Sequence, residues 1–261
     1  MHVLESFSLK GKVALVTGGA GLYGRQIVEA LAEAGARTFL AARSVDKLEA
    51  VAAEERARGH DVTALHLDLS SDASIEALHK TIIERAGRCD VLVNNAVTRS
   101  ALDGWKHELD DFDASLRVNA SALFKITELF GTTMRANKAG SVINIGSMMG
   151  VVGLELGNYV GTDMMPNPSP IYHYEKGGMI SFTRWAASIL GVDGVRVNCL
   201  SPGGFFNGQP APFVKNYSDR TQLGRMANST DMKGAIIFLA SDASLYITGT
   251  NLPVDGGYTA K

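Results

Sequence analysis

Tyr172 and Lys176 stand four positions apart in Ile171-Tyr172-His173-Tyr174-Glu175-Lys176, and Ser147 closes an upstream apolar run, Val142-Ile143-Asn144-Ile145-Gly146-Ser147. On a helix, positions i and i+4 share a face, so a phenol and an ammonium can enter one cleft while the serine arrives from the end of a neighbouring strand. Free tyrosine ionises at about pH 10, and a nearby cation favours the phenolate, which makes the pair a candidate proton donor and acceptor. The same spacing also describes an exposed helix pair beside a buried serine, so the rest of the chain must decide. Tyr174 and Tyr159 have no lysine four residues on. His107 and His173 lack metal-ligand spacing and read as helix-surface histidines, so no metal site is expected. Asp110-Asp111-Phe112-Asp113 reads as acidic bias early in a helix.

The elements that must position these groups follow from an alternation. Short Val/Ile/Leu-rich runs mark strands at about 12–17, 37–42, 62–67, 90–94, 141–146, 194–200 and 251–254, and longer amphipathic segments mark helices at about 23–34, 46–58, 72–86, 107–138, 172–190 and 231–240. Apolar strands alternating with helices specify right-handed crossovers and a parallel sheet covered on both faces, a doubly wound α/β (Rossmann) fold of seven strands. No linker or repeat divides the chain, so residues 1–261 are expected to form a single domain. An excursion at about 148–171, rich in glycine and proline, and a loop at about 203–221 break the rhythm where ligands would bind.

Composition sets outer limits. The chain has 261 residues and a formal net charge of -2, so no basic field points to nucleic acid or an anionic membrane. Two cysteines, Cys89 and Cys199, adjoin apolar stretches and read as reduced core residues. The N-terminal residues carry no secretion pattern and no stretch is long and apolar enough to span a bilayer, so a cytoplasmic protein is expected.

The first strand runs through Thr17 into Gly18-Gly19-Ala20-Gly21-Leu22-Tyr23-Gly24 and then a helix. Glycines at a strand-to-helix turn let backbone approach a pyrophosphate, whose charge the helix amides then meet; tight helix-strand packing is the plainer explanation. Together these residues resemble the short-chain dehydrogenase/reductase family. Thr17-Gly18-x-x-x-Leu22-x-Gly24 is similar to its Thr-Gly-x-x-x-Gly-x-Gly turn, Asn94-Asn95-Ala96 to its Asn-Asn-Ala-Gly strand end, and Tyr172-x-x-x-Lys176 to its catalytic pair. Leu22 and Val97 depart from it, each standing where the family has glycine.

The resemblance implies a nicotinamide cofactor held by Gly18, Gly21, Leu22, Tyr23, Gly24, Asn95, Ala96, Pro202 and Gly203, with Asp68 and Leu69 beside the adenine. Asp68 also suits a turn or cap before the following helix. Ala42 occupies the position where NAD-preferring relatives carry aspartate, and Arg43 can bond a 2′-phosphate, so NADP is expected over NAD. A solvated loop arginine is the competing reading. The resemblance further implies that Tyr172 is the general acid/base, that Lys176 favours its phenolate and holds the nicotinamide ribose, that Ser147 bonds the substrate oxygen, and that Asn119 lies on a water-linked path to the lysine. It also implies a homotetramer through the helices carrying Asn119 and Tyr172.

Tyr172 stands 25 positions after Ser147, nearly double the family's usual gap, so the excursion is where specificity is expected. The wording of Ser201-Pro202-Gly203-Gly204 and Leu223-Gly224-Arg225-Met226 is similar to members acting on sugar acids and polyols, such as gluconate 5-dehydrogenases. This implies reversible oxidation of a secondary alcohol on a small-molecule substrate, with Lys215 or Arg220 available to pair with a carboxylate. A 3-oxoacyl thioester reductase and a non-catalytic cofactor-sensing protein are the alternatives.

Overall fold

The computed structural model describes residues 2–99, 108–164 and 169–260. Seven parallel strands form one sheet in the order β3-β2-β1-β4-β5-β6-β7: β1 (Val13–Thr17), β2 (Arg37–Ala42), β3 (Val62–His66), β4 (Val91–Asn94), β5 (Gly140–Ile145), β6 (Val195–Pro202) and β7 (Asn251–Val254). All five residues of β1 and all eight of β6 are buried; β1 reads as an apolar run up to Thr17, while β6 also buries Arg196, Asn198 and Ser201.

Successive side chains point to opposite faces, so each face has its own core. Ala14 and Val16 join Ile27 and Leu31 of α1 (Leu22–Glu33), Leu48 of α2 (Val45–Ala57) and Ile236 of α8 (Lys233–Ala240). Val13 and Leu15 join Ile75 of α3 (Asp72–Ala86), Phe130 of α5 (Ala122–Ala136) and Ala186 of α6 (Pro170–Leu190). Burying each such Leu, Ile or Phe contributes roughly 1.5–3 kcal/mol, and the sheet is stable only as the middle of this three-layer stack. The strand order reverses between β1 and β4, which places a crevice at the carboxyl ends of these strands.

Three readings are corrected. The helix expected over 107–138 is two helices, α4 (Leu109–Leu116) and α5, joined by a π-turn at Arg117–Ser121, while position 107, and His107 with it, lies outside the described residues. The wider turn buries Asn119. The loop expected over 203–221 contains α7 (Ala211–Ser218). The excursion over 148–171 forms short 3₁₀ turns at Met148–Gly150 and Leu156–Tyr159, with 165–168 outside the described residues, and α6 already starts at Pro170, a residue suited to a first helical turn.

The excursion docks onto α7 through several ties. Asn216 Nδ2 donates to Val160 O at 2.9 Å, Glu155 pairs with Arg220 at 2.9 Å, and the rings of Tyr159 and Phe213 meet with centroids 5.3 Å apart. Asn158 Nδ2 donates to the Tyr258 hydroxyl at 2.9 Å, joining the C-terminal turn to the same cap.

Candidate active site

The glycine turn is built by close approach. At Gly18 φ is +69°, and an added Cβ would lie 2.8 Å from Ala96 Cα; at Gly24 it would lie 2.3 Å from the Gly18 carbonyl oxygen. Neither position accepts a side chain. Asn95 Nδ2 donates to the carbonyls of Thr17 and Gly18, each at 3.0 Å, while Thr17 Oγ1 accepts from the Asn95 and Ala96 amides, each at 3.0 Å. The ends of β1 and β4 are thus locked together. Gly21 precedes α1 without a side-chain cap, which leaves the first amides of the helix available for an anion. Leu22, at the position of the family's middle glycine, is the first residue of α1, half exposed at the cleft, so its side chain does not obstruct the turn.

The cleft above this turn has a volume of about 1030 Å³ and reaches from Arg43 at the end of β2 to Phe213 of α7. Of the residues expected from sequence to bind cofactor or do chemistry, all except Asn119 line it. The turn, Pro202-Gly203 and the Arg43 end fit an extended dinucleotide: bare amides and glycine backbone where a pyrophosphate would pass, then cations at the far end. Arg43, Ser44 and Lys47 line that end, and among the described residues the carboxylate that lines it with them is Asp68. Asp68 is not the helix cap; Ser71 is, accepting from Ser74 N at 3.3 Å. Asp68 instead accepts from the Ser70 amide at 2.9 Å and hydroxyl at 2.7 Å, and these bonds hold its carboxyl below the usual range.

At the other end, Lys176 is buried and its Nζ donates to the Ile145 carbonyl at 2.7 Å, 5.7 Å from the centre of the Tyr172 ring. Ser147, also buried, accepts from Met149 N at 3.1 Å. The helix spacing and the strand end therefore bring Ser147, Tyr172 and Lys176 to one cleft. Asn119 sits behind it, its Oδ1 accepting from Thr98 N at 3.0 Å and its Nδ2 donating to Thr98 O at 2.9 Å. Tyr23 lines the cleft with its hydroxyl already committed to Gly203 O at 2.8 Å, and its ring stands edge-on to Phe205. Burial, and then proximity to Tyr217, Asp231 and Tyr172, pushes the Tyr23 phenol well above its ordinary range, so it is a structural bridge across the cleft.

Sequence reasoning missed two charged groups here. Arg99 lines the cleft with its guanidinium 5.3 Å above the Tyr172 ring; its only signal was its place five residues after Asn94. Glu175, between Tyr172 and Lys176, is buried and accepts hydrogen bonds from Ser115 and Asn119. The expected carboxylate partners are elsewhere: Lys215 pairs with Asp219 at 2.6 Å, Arg220 pairs with Glu155, and neither lines the cleft. His173 is half-buried rather than on the surface, and its Nε2 has no partner among the described residues.

The substrate wall is largely apolar. Met148, Phe213, Tyr217 and Met226 pack with Tyr258, and Tyr217 fixes the loop after β6 by accepting from Gly204 N and donating to Met148 Sδ at 3.2 Å. No group of three or more His, Cys, Asp or Glu residues among the described residues could hold a metal ion, and no helix among them is long and apolar enough to cross a membrane.

Comparison with known proteins agrees with this geometry. A family model described as enoyl-(acyl carrier protein) reductase matches residues 21–259. A tropinone reductase homolog of Arabidopsis thaliana, At2g30670, is 31% identical over 98% of this chain and 96% of its own length. The 3-oxoacyl-[acyl-carrier-protein] reductase FabG of Thermotoga maritima is 31% identical over 95% of this chain and 98% of its own. Among solved structures, a gluconate 5-dehydrogenase from Burkholderia cenocepacia J2315 in complex with NADP and tartrate superposes with a TM-score of 0.88 at 30% identity, covering 100% of both chains.

Proposed function

The chain belongs to the short-chain dehydrogenase/reductase family of oxidoreductases, and from that premise we propose that it uses NADP to interconvert a secondary alcohol and a ketone on a sugar acid or polyol. The observation that carries the substrate class is the Arg99 guanidinium 5.3 Å above the Tyr172 ring, a planar cation suited to a carboxylate beside the reacting carbon. The NADP preference rests on Arg43 just after β2 and Lys47 in α2, with Ala42 standing where a carboxylate would repel a 2′-phosphate.

The bound cofactor would supply or accept the hydride. Tyr172 then hands a proton to the carbonyl oxygen in reduction, or takes one from the hydroxyl in oxidation. Ser147, at the end of β5, holds that oxygen. Lys176, anchored to the Ile145 carbonyl, places positive charge beside the phenol and reaches the ribose. Asn119 braces the wall behind them. In this reading residues 1–261 work as one catalytic domain in the cytoplasm, with the 148–171 excursion and α7 as the substrate cap. A homotetramer is supported by the exposed Phe124 and Trp185 of α5 and α6, which cluster with the partly buried Phe182 at ring distances of 5.8–6.4 Å.

A second reading, reduction of a 3-oxoacyl thioester, is favoured by the apolar wall of Met148, Phe213, Tyr217 and Met226. A spectrophotometric panel of aldonates, keto-aldonates, polyols and acyl thioesters with NADP(H) and NAD(H) separates the two. The proposal expects turnover of aldonates or keto-aldonates with NADP(H); activity confined to thioesters would overturn it.

A further inference from the structure

Glu175 lies on α6 between Tyr172 and Lys176, and only 5% of it is exposed. Its Oε1 accepts from the Ser115 hydroxyl at 2.8 Å and its Oε2 from Asn119 Nδ2 at 2.9 Å. Those donors lie one turn apart, at the end of α4 and in the π-turn, and Asn119 Nδ2 also reaches Ser115 Oγ at 3.2 Å, so the three side chains close a triangle. The carboxamide held there pairs with both the N–H and the C=O of Thr98. Thr98 immediately precedes Arg99, the cation above Tyr172. Burying a carboxylate costs free energy that its hydrogen bonds must offset, and here both oxygens are engaged on one structure, the cleft wall.

We propose that Glu175 is a positioning residue: its carboxylate fixes Asn119 and, through Asn119, the Thr98–Arg99 wall that faces Tyr172. This goes beyond the sugar-acid reading and does not depend on it. An ionised carboxylate accepts from both donors at once, while a protonated one still offers an oxygen to Asn119 and can turn its O–H toward the Ser115 hydroxyl, which then accepts. Burial pushes the Glu175 carboxyl above its usual range, opposed by the bonds from Ser115 and Asn119 and by the Lys176 charge. Lys176 is thus the charge acting on it from its own helix, which also carries Tyr172. The α4 end and the π-turn present uncharged Ser115 and Asn119, the Met148–Gly150 turn carries no charge, and Arg99 lies beyond Thr98.

The test is amide hydrogen exchange at Thr98 in the full chain, for wild type, Glu175→Gln and Glu175→Ala, across pH and corrected for the intrinsic rate, with circular dichroism and NADP binding as checks on folding. At neutral pH the alanine variant should exchange at least about tenfold faster than wild type, while the glutamine variant, whose amide oxygen still accepts from Asn119, stays within about threefold. On the acid side wild type, its carboxyl protonated, should converge on the glutamine variant, its neutral counterpart, and not on the alanine variant. An alanine variant as protected as wild type, or a glutamine variant exchanging as fast as the alanine variant, would overturn the proposal. Should Glu175→Ala fail to fold, Ser115→Ala removes one of the two donors and should raise exchange at Thr98 by a smaller factor; no change there counts against the proposal. No substrate enters this experiment, so its failure is distinguishable from failure of the sugar-acid reading.

Discussion

Replacing Arg43 with alanine isolates the group that is proposed to choose between the two nicotinamide cofactors. The residue follows the last position of β2, is exposed, and lines the cleft with Ser44 and Lys47. A hydrogen bond to a charged group contributes about 1.5–3 kcal/mol when sheltered, whereas exposed ion pairs contribute about 1 kcal/mol or less. A forked guanidinium on a phosphate at the cleft rim falls between these limits, near about 1.5 kcal/mol, which is roughly tenfold in Kd. Lys47 stays in place, so binding weakens without vanishing. Titration calorimetry on wild type and Arg43→Ala should therefore show the NADP dissociation constant rising about tenfold while that for NAD changes by less than about twofold. Adding Ala42→Asp, which puts a carboxylate where a ribose diol would lie, should carry the preference over to NAD. Parallel weakening of both cofactors would mean that Arg43 only shapes the loop, and no change in either would mean that the 2′-phosphate lies elsewhere; each result refutes the reasoning.

Three further outcomes follow from packing and charge. Gly24→Ala drives a Cβ to 2.3 Å from the Gly18 carbonyl, and the forced shift should cost about 1–3 kcal/mol, lowering Tm by about 2–8 °C in calorimetry and weakening NADP at least about tenfold. Tyr258→Phe removes the acceptor of the buried Asn158 Nδ2, so about 1–3 kcal/mol should be lost, with the cap between the excursion and α7 becoming more sensitive to limited proteolysis. Because the Glu175 carboxyl is raised by burial, the folded state favours its neutral form, and wild-type stability falls as pH rises through the folded value. Glu175→Gln should therefore have the higher Tm at neutral pH, with the gap closing on the acid side; a gap that widens there would contradict the sign.

The sheet was legible because each strand carries a short cluster of Val, Ile, Leu or Ala and most alternate with a helical segment. The meeting of Tyr172, Lys176 and Ser147 in one cleft was legible for a related reason: Tyr172 and Lys176 are fixed by one helix, and Ser147 by the end of its strand. What escaped depends on distant partners or on subtle shifts in register. The π-turn adds one residue without breaking the apolar period of 107–138, yet it decides that Asn119 is buried. Helix α7, Ala-Pro-Phe-Val-Lys-Asn-Tyr-Ser, is short and begins beside proline, so its buried pair Phe213 and Tyr217 did not stand out as a period. Glu175 drew no notice in the sequence because its partners, Ser115 and Asn119, lie 60 and 56 residues away. Arg99 is a loop arginine until β4 and α6 are side by side. Lys215 and Arg220 failed as carboxylate partners because each is already paired, Lys215 with Asp219 four residues on and Arg220 with the distant Glu155.

The account turns on the phenol of Tyr172 as the group that moves the proton. Tyr172→Phe keeps the ring beneath Arg99 and beside Lys176 while removing only the oxygen. The measurement is NADP-linked turnover of the best alcohol from the substrate panel, together with NADP affinity of the same sample. The account predicts an affinity within about twofold of wild type and a fall in kcat of at least about 10³-fold, in line with loss of a general acid/base. A variant that binds NADP normally and keeps more than about a tenth of the wild-type rate would show that the proton is moved by another group.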